Sequence, residues 1–97
     1  MAAHLAGAVA AHSTRPVIGI PIESGGMGGI DSLLSTAMMP PGVPVATVAV
    51  GKAGAKNSAI LAVQILATSD DELAQKLHDY KNNMREEVLK KDKALNS

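Results

Sequence analysis

Residues 24–67 constrain the fold more than any other stretch, because turns rich in glycine or proline alternate there with apolar segments. In chain order they predict a glycine-rich loop, a short helix, a proline turn, an apolar strand, a second glycine turn and an apolar helix. Helix, strand and helix in succession form the repeating unit of a parallel α/β fold. The stretch therefore predicts an α/β protein with a parallel sheet.

Two apolar runs are the predicted strands, at residues 17–22 and 43–50. The second run does not alternate polar with apolar residues, which is typical of a parallel strand covered by helices on both faces. Pro21 cannot donate to a ladder, so we expect it at an edge or at the end of its strand. Two strands are too few for an independently stable sheet, and the chain is predicted to be the C-terminal part of a larger α/β domain.

The first three predicted helices surround these strands. Residues 2–12 are alanine-rich and favour a helix. We expect Asp31 or Ser32 to cap a second helix that runs to about Met38. After a turn at residues 51–54, residues 55–67 form a third helix that is apolar nearly all round. Such a helix is expected to be buried on more than one side, with another subunit on the second side.

The last helix is predicted over about residues 70–94. Ser69 followed by Glu72 forms the capping-box pattern, with serine as the cap. An apolar stripe at helical spacing predicts that one face packs while the opposite, charged face is solvated; its members are Leu73, Leu77, Tyr80, Met84 and Val88.

Charge and composition exclude several classes of function. Nine basic and nine acidic residues leave no net charge. The sequence therefore has no excess of positive charge that would indicate binding to nucleic acid or to an anionic membrane. No apolar run approaches the roughly 18 residues of a spanning helix, and the start does not have the pattern of a secretory signal. A cytoplasmic protein is the expectation. Aromatic residues make up only 1% of the chain, so the core must be built from small side chains or completed by another chain.

Few motifs point to chemistry on their own. GKAGAK at residues 51–56 departs from both the Walker and the GxGxxG patterns, so we interpret it as a tight turn, with an anion at the following helix as the alternative. SGGMGG at residues 24–29 is interpreted as a loop. The three histidines, His4, His12 and His78, have no metal-ligand spacing, and no metal site is predicted.

A longer pattern identifies a family. The segments AAHLAG, PVIGIPIES, GGIDSLLSTAMMPPGVPVATVAVGKAGAKN and ILAVQILA resemble the C-terminal part of bacterial PurE, the class I 5-(carboxyamino)imidazole ribonucleotide mutases, along nearly the whole chain. The resemblance implies a three-layer α/β/α flavodoxin-like (Rossmann-like) sheet, of which residues 1–97 are an incomplete C-terminal portion. It also implies a homo-octamer, a ribonucleotide substrate, carbon dioxide held during transfer, and no metal or organic cofactor.

The resemblance carries over unevenly to individual residues. The family's phosphate-binding GSxSD and its SAHRTP segment, which holds the proton-shuttle histidine, do not occur in this sequence, so no catalytic residue is assigned. By resemblance, Ala3, His4 and Leu5 border the pocket for carbon dioxide and the base. Met39 and Pro40 match a Met-Pro pair that reaches toward a neighbouring subunit's site. Met38 replaces the glutamine that usually precedes this pair.

Two functions follow from these expectations. The first is PurE-type carboxylate transfer in purine biosynthesis, with this chain supplying part of the enzyme. The alternative is a truncated, catalytically inactive remnant that acts only as an oligomerisation or interaction module. The absence of the two motifs predicts that the chain has no mutase activity by itself.

Overall fold

The structure is a computed structural model that describes residues 2–23 and 28–96, without the side chains of residues 2–4. The described part contains four helices: α1 Ala2–Ala11, α2 Ile30–Ala37, α3 Gly51–Ala67 and α4 Asp71–Asn96. The chain divides into two compact units, Met1–Ala62 and Val63–Ser97.

The two predicted strands meet at a single point in the described part of the chain. Ile18 and Ala46 form an isolated parallel β-bridge. The Ala46 N–H donates to the Val17 carbonyl at 2.9 Å, and the Gly19 N–H donates to the Ala46 carbonyl at 2.8 Å. We call residues 17–22 and 43–50 the first and second paired segments. The direction is parallel, but neither segment is a strand of a continuous ladder, so the sheet stays a prediction.

Two prolines explain why the pairing stops after one bridge. In a parallel ladder the next pair toward the carboxyl ends would need an N–H from residue 21, and the preceding pair would need one from residue 44. Both positions are proline, and proline has no N–H to donate. Pro21 accordingly lies at the end of the pairing, fully buried, where its carbonyl accepts the Gly51 N–H at 2.9 Å.

The core of the first unit lies where α2 covers the bridge. A Cβ at Gly19 would lie 2.6 Å from Thr36 Cγ2 and 3.0 Å from Val45 Cγ1. Both of these neighbours are buried, and the Thr36 hydroxyl donates to the Ser32 carbonyl at 2.7 Å. The close approach of α2 to the first paired segment therefore depends on the absence of a side chain at residue 19.

The start of α2 differs from the prediction. Gly29 is the N-cap, in the left-handed conformation with φ of 83°, and no side chain caps the helix. The predicted cap at Asp31 or Ser32 is wrong, because both residues already lie inside the first turn. Asp31 still places its negative charge near the positive end of the helix dipole. Of the predicted 24–29 loop, residues 24–27 lie outside the described residues.

The third helix begins earlier than predicted. Residues 51–54, interpreted from the sequence as a turn, form the first turn of α3. Gly54 is buried, and a Cβ there would overlap the carbonyl group of Ala49. The described residues do not bury α3 on more than one side, since Gly54 and Ser58 are its buried residues while Leu66 is 60% exposed.

In the second unit, α4 follows the end of α3 through a tight turn. The Asp70 carboxylate accepts the Leu73 N–H at 3.1 Å, which is the geometry of an N-cap bonded to the third helical residue. The predicted cap, Ser69, is one residue too early, so the capping-box prediction is wrong. Along the predicted apolar stripe, Leu73, Leu77 and Tyr80 are half-buried, whereas Met84 and Val88 are exposed. No helix in the described part of the chain is long and apolar enough to cross a bilayer.

The Asp70 cap provides a direct test of α4. Asp70→Ala is expected to destabilise α4 by about 1 kcal/mol, because it leaves the Leu73 N–H without its acceptor. Ser69→Ala is the matched control and should be close to neutral. Urea denaturation of both variants, followed by the circular dichroism of the helices, measures the difference. A larger loss for Ser69→Ala would restore the original prediction for the cap.

Candidate functional site

The residues assigned by resemblance lie in two places in the first unit. Ala3, His4 and Leu5 are in the first turns of α1, and Met39 and Pro40 follow α2. The side chains of Ala3 and His4 are outside the described residues. Leu5 is 72% exposed, so the described residues of the first unit leave most of its side chain uncovered.

Met39 connects these two places. Its side chain is half-buried over α1: a Cβ at Gly7 would lie 3.2 Å from Met39 Cε and 3.5 Å from Met39 Sδ. Gly7 is two residues after Leu5 in the same helix, so the thioether lies close to the helical turn that carries the predicted pocket residues. A side chain at position 7 would meet the end of the methionine, which would have to shift by a few tenths of an ångström.

Pro40 begins a tight turn that fixes the chain after Met39. Its carbonyl accepts the Val43 N–H at 3.1 Å, and Gly42 has a φ of 97°. Pro41 and Gly42 are the two central residues of the turn closed by this bond. Proline at the first central position and glycine at the second are typical of a type II turn. Pro40 itself is exposed. The structure therefore brings Met39 to α1 and leaves Pro40 at the surface.

A second set of residues joins the carboxyl ends of the two paired segments. From the sequence they were interpreted as a loop at residues 24–29 and a tight turn at residues 51–56, with an anion at the following helix as the alternative. A Cβ at Gly29 would lie 2.5 Å from Val50 Cγ1, and Gly51 bonds to Pro21. In open α/β sheets, ligands bind outside the carboxyl ends of the strands. Gly51 directly follows its apolar run in the sequence, but no local signal indicates that Gly29 lies against Val50.

The remaining charges do not assemble a metal centre in the described ranges. No group of three or more His, Asp or Glu residues there could hold a metal ion. In the described residues, an ion pair joins Lys76 and Glu72 at 4.0 Å on the exposed face of α4. Such surface pairs contribute little to stability. A cavity of about 510 Å³ beside Arg15, Pro44 and Ala46 lies at the amino ends of the paired segments and contains none of the predicted site residues.

Comparison with known proteins gives a consistent result over most of the chain. Residues 1–87 match the family model described as AIR carboxylase. The chain is 53% identical over 88 residues to an N5-carboxyaminoimidazole ribonucleotide mutase of Escherichia coli (strain K12), covering 91% of this chain and 52% of the relative. It is 51% identical over 94 residues to the mutase of Bacillus subtilis (strain 168), covering 97% and 58%.

A third relative has a similar sequence identity to this chain. The N5-carboxyaminoimidazole ribonucleotide mutase of Saccharolobus solfataricus is 54% identical over 88 residues, which cover 91% of this chain and 54% of the relative. The chain thus spans about half the length of the curated relatives it matches. Because the family model covers residues 1–87 of 97, this chain belongs to the AIR carboxylase family.

Proposed function

We propose that this chain is the C-terminal portion of a PurE-type domain and supplies part of a site for carboxylate transfer in purine biosynthesis. The reaction converts 5-carboxyaminoimidazole ribonucleotide to 4-carboxy-5-aminoimidazole ribonucleotide. The observation that carries the proposal is the 53% identity over 91% of the chain to a protein named as this mutase. The polypeptide corresponding to the rest of the relatives completes the site.

The proposed chemistry needs no net oxidation or reduction. The bond between the exocyclic nitrogen and the carboxylate breaks, carbon dioxide is retained, and a ring carbon forms the new bond to it. The proton lost from that carbon is transferred to the nitrogen. Retaining an uncharged gas requires a small pocket that excludes water, since positioning converts recapture into a step within one complex. Ala3, His4 and Leu5 border this pocket in the proposal, and no proton carrier is assigned to this chain.

The contact between Met39 and Gly7 supports a shared role for the two segments. Met39 Cε lies 3.2 Å from the Cβ position of Gly7, so the turn after α2 lies against the helix that carries His4. We propose that Pro40, which is exposed at this turn, faces a neighbouring subunit in a homo-oligomer. A parallel α/β/α sheet, completed by the rest of the domain, is the fold that accompanies this proposal.

Turnover tests the proposal. The chain alone is expected to give no conversion of 5-carboxyaminoimidazole ribonucleotide. Co-expression with the part of the Escherichia coli relative that this chain does not cover is expected to give measurable conversion. In the active mixture, His4→Ala should lower turnover by about tenfold to a hundredfold, as misplaced pocket groups do. His12→Ala, at an exposed histidine after the same helix, is the matched control and should have no effect.

The alternative function is a non-catalytic interaction module. The observation that favours it is the exposed apolar surface of the first unit, where Leu5, Ile22 and Met38 are 72%, 60% and 77% exposed. A purified complex of the two polypeptides that binds no ribonucleotide and gives no turnover would favour this alternative. Equal loss of activity in His4→Ala and His12→Ala would contradict the assignment of His4 to the pocket. The proposed carboxylate transfer would still stand.

A further inference from the structure

The second unit contains a groove between the end of α3 and the first turns of α4. Its volume is about 300 Å³, which is at the lower end of the range for small-molecule sites. Its apolar lining comes from Ala67 on α3 and from Ala74 and Leu77 on α4, and all three residues are half-buried. Every residue of the groove belongs to the second unit, so this unit forms the groove by itself.

Polar side chains with free donors line the rest of the groove. Gln64 on α3, and His78 and Lys81 on α4, contribute an amide, an imidazole and an ammonium group. His78 and Lys81 are three residues apart, so they lie on the same face of α4. None of these three side chains forms a hydrogen bond or an ion pair with a described residue. All three are exposed, so a ligand in the groove can reach them.

The backbone acceptors at the end of α3 are already used. The carbonyls of Ile65, Leu66 and Ala67 accept N–H groups from the turn that follows the helix. Thr68, which also lines the groove, donates its hydroxyl to the Ile65 carbonyl at 2.7 Å. These bonds satisfy the carbonyl groups that a helix end usually leaves unpaired. The groove therefore offers donors and positive charge to a ligand.

From Ala74 to Arg85, the charges on this face of α4 have the same sign. Arg85 follows Lys81 by four residues, so it lies on the same side of the helix, next to the groove. It forms no ion pair with a described residue. The nearest acidic residue in the sequence, Asp79, accepts the Gln75 amide at 3.2 Å instead. The row is thus a local excess of positive charge in a chain whose net charge is zero.

We propose that this groove binds a small organic phosphate, with a phosphate group attached to an apolar body. Lys81 and Arg85 bind the phosphate, His78 and Gln64 donate to its remaining oxygens, and the body packs against the apolar lining. A phosphate monoester presents three acceptor oxygens and about two negative charges, which suits donors from four side chains better than the two oxygens of a carboxylate. The inference goes beyond the proposed function, because it uses none of the residues assigned to carboxylate transfer.

Binding of phenyl phosphate to the full chain tests the proposal. At about 0.15 M salt, which screens weak surface attraction, we expect a dissociation constant of about 1 mM or below. Changes in NMR chemical shift should be centred on Gln64, His78 and Lys81. Inorganic phosphate lacks the apolar body and benzoate lacks the phosphate, so each should bind about tenfold more weakly.

A pair of lysine variants gives the matched comparison. Lys81→Gln should weaken phenyl phosphate binding by about tenfold to a hundredfold, because it removes a charged hydrogen-bond donor. Lys90→Gln removes the same charge from the same helix about two and a half turns further on, and so on the opposite face. It should change binding by less than about twofold. Both positions are exposed, and circular dichroism verifies that α4 is retained.

A third variant tests the apolar part of the groove. Ala74→Leu fills the space without changing any charge and should weaken phenyl phosphate by about tenfold, while inorganic phosphate should be less affected. If Ala74→Leu does not fold, the comparison between phenyl phosphate and inorganic phosphate on the unmodified chain decides whether the body is bound.

Three results would overturn the inference. The first is no change in chemical shift at millimolar phenyl phosphate. The second is equal loss of binding in Lys81→Gln and Lys90→Gln, which would mean a general attraction of anions to lysines. The third is benzoate binding as tightly as phenyl phosphate, which would replace the phosphate by a carboxylate. None of these results changes the expected turnover of the complex with the relative's uncovered part, and loss of that turnover would leave the groove unaffected.

Discussion

Gly54→Ala is expected to destabilise the first unit by about 3 kcal/mol or more, the upper end of the cost of overpacking. A Cβ at this position would overlap the carbonyl oxygen of Ala49 and lie 2.7 Å from the carbonyl carbon. Side-chain neighbours could rotate away, but these atoms belong to the backbone next to Val50 and the start of α3. The methyl group therefore forces α3 to move away from the second paired segment.

The direction of the expected change in stability makes this substitution informative. In an open helix, replacing glycine by alanine stabilises by up to about 1 kcal/mol, so a large loss can come only from the close contact. Ala55→Gly, at an exposed position of the same turn, is the matched control and should cost about 1 kcal/mol through helix propensity alone. Thermal and urea unfolding at a fixed protein concentration measure both, since association shifts apparent stability. A Gly54→Ala protein as stable as the parent would contradict the close packing of α3.

Local preference fails at α3 because close backbone contacts decide where the helix begins. The glycines at residues 51 and 54 predict a turn, since glycine is unfavourable in helices. Gly54 is nevertheless helical, because only a residue without a side chain fits against Ala49. Gly51, with φ of 72°, begins the helix and bonds back to Pro21. The bond of Gly51 to Pro21 has no local signal, because it joins distant segments. Ala49 is near Gly54 in the sequence, but their close approach depends on how the chain enters α3.

The two paired segments show the opposite situation: a parallel contact between them was predictable, but the extent of the pairing was not. Apolar runs at residues 17–22 and 43–50 do pair in parallel, at Ile18 and Ala46. The prolines at positions 21 and 44 remove the N–H groups on either side of that bridge. The register that makes both prolines interrupt the ladder depends on how the segments align, and composition alone does not give the alignment.

The candidate site residues come from resemblance rather than from spacing, and their role in a pocket stays a prediction. Nothing in the pattern around His4 and Leu5 indicates that Met39, more than thirty residues later, lies against their helix at Gly7. Family motifs name such residues because they summarise contacts between distant parts of a chain. The carboxyl-end cluster of Gly29, Val50 and Gly51 was missed for the same reason: each glycine indicated a turn, while its partner could be identified only in the structure.

Gly19→Ala is the second change with a large expected effect, about 3 kcal/mol. The new methyl group would lie 2.6 Å from Thr36 Cγ2 and 3.0 Å from Val45 Cγ1. Val45 is buried at 9% exposure and Thr36 at 3%, and the Thr36 hydroxyl is held by its 2.7 Å bond to the Ser32 carbonyl. Rotation of Thr36 would break this bond, and Val45 is buried, so we expect α2 to move away from the first paired segment.

Thr36→Ser provides a specific rescue. It removes Cγ2, the atom nearest the new methyl group, and keeps the hydroxyl that bonds to Ser32. Alone it should cost about 1 kcal/mol, for one buried methyl group and the space it leaves. In this background Gly19→Ala should cost only about 1 kcal/mol, which gives a coupling energy near 2 kcal/mol in a double-mutant cycle. Urea unfolding of the four proteins measures it. Additive losses would mean that Thr36 does not cover Gly19, and the packing of α2 on the β-bridge would then have to be revised.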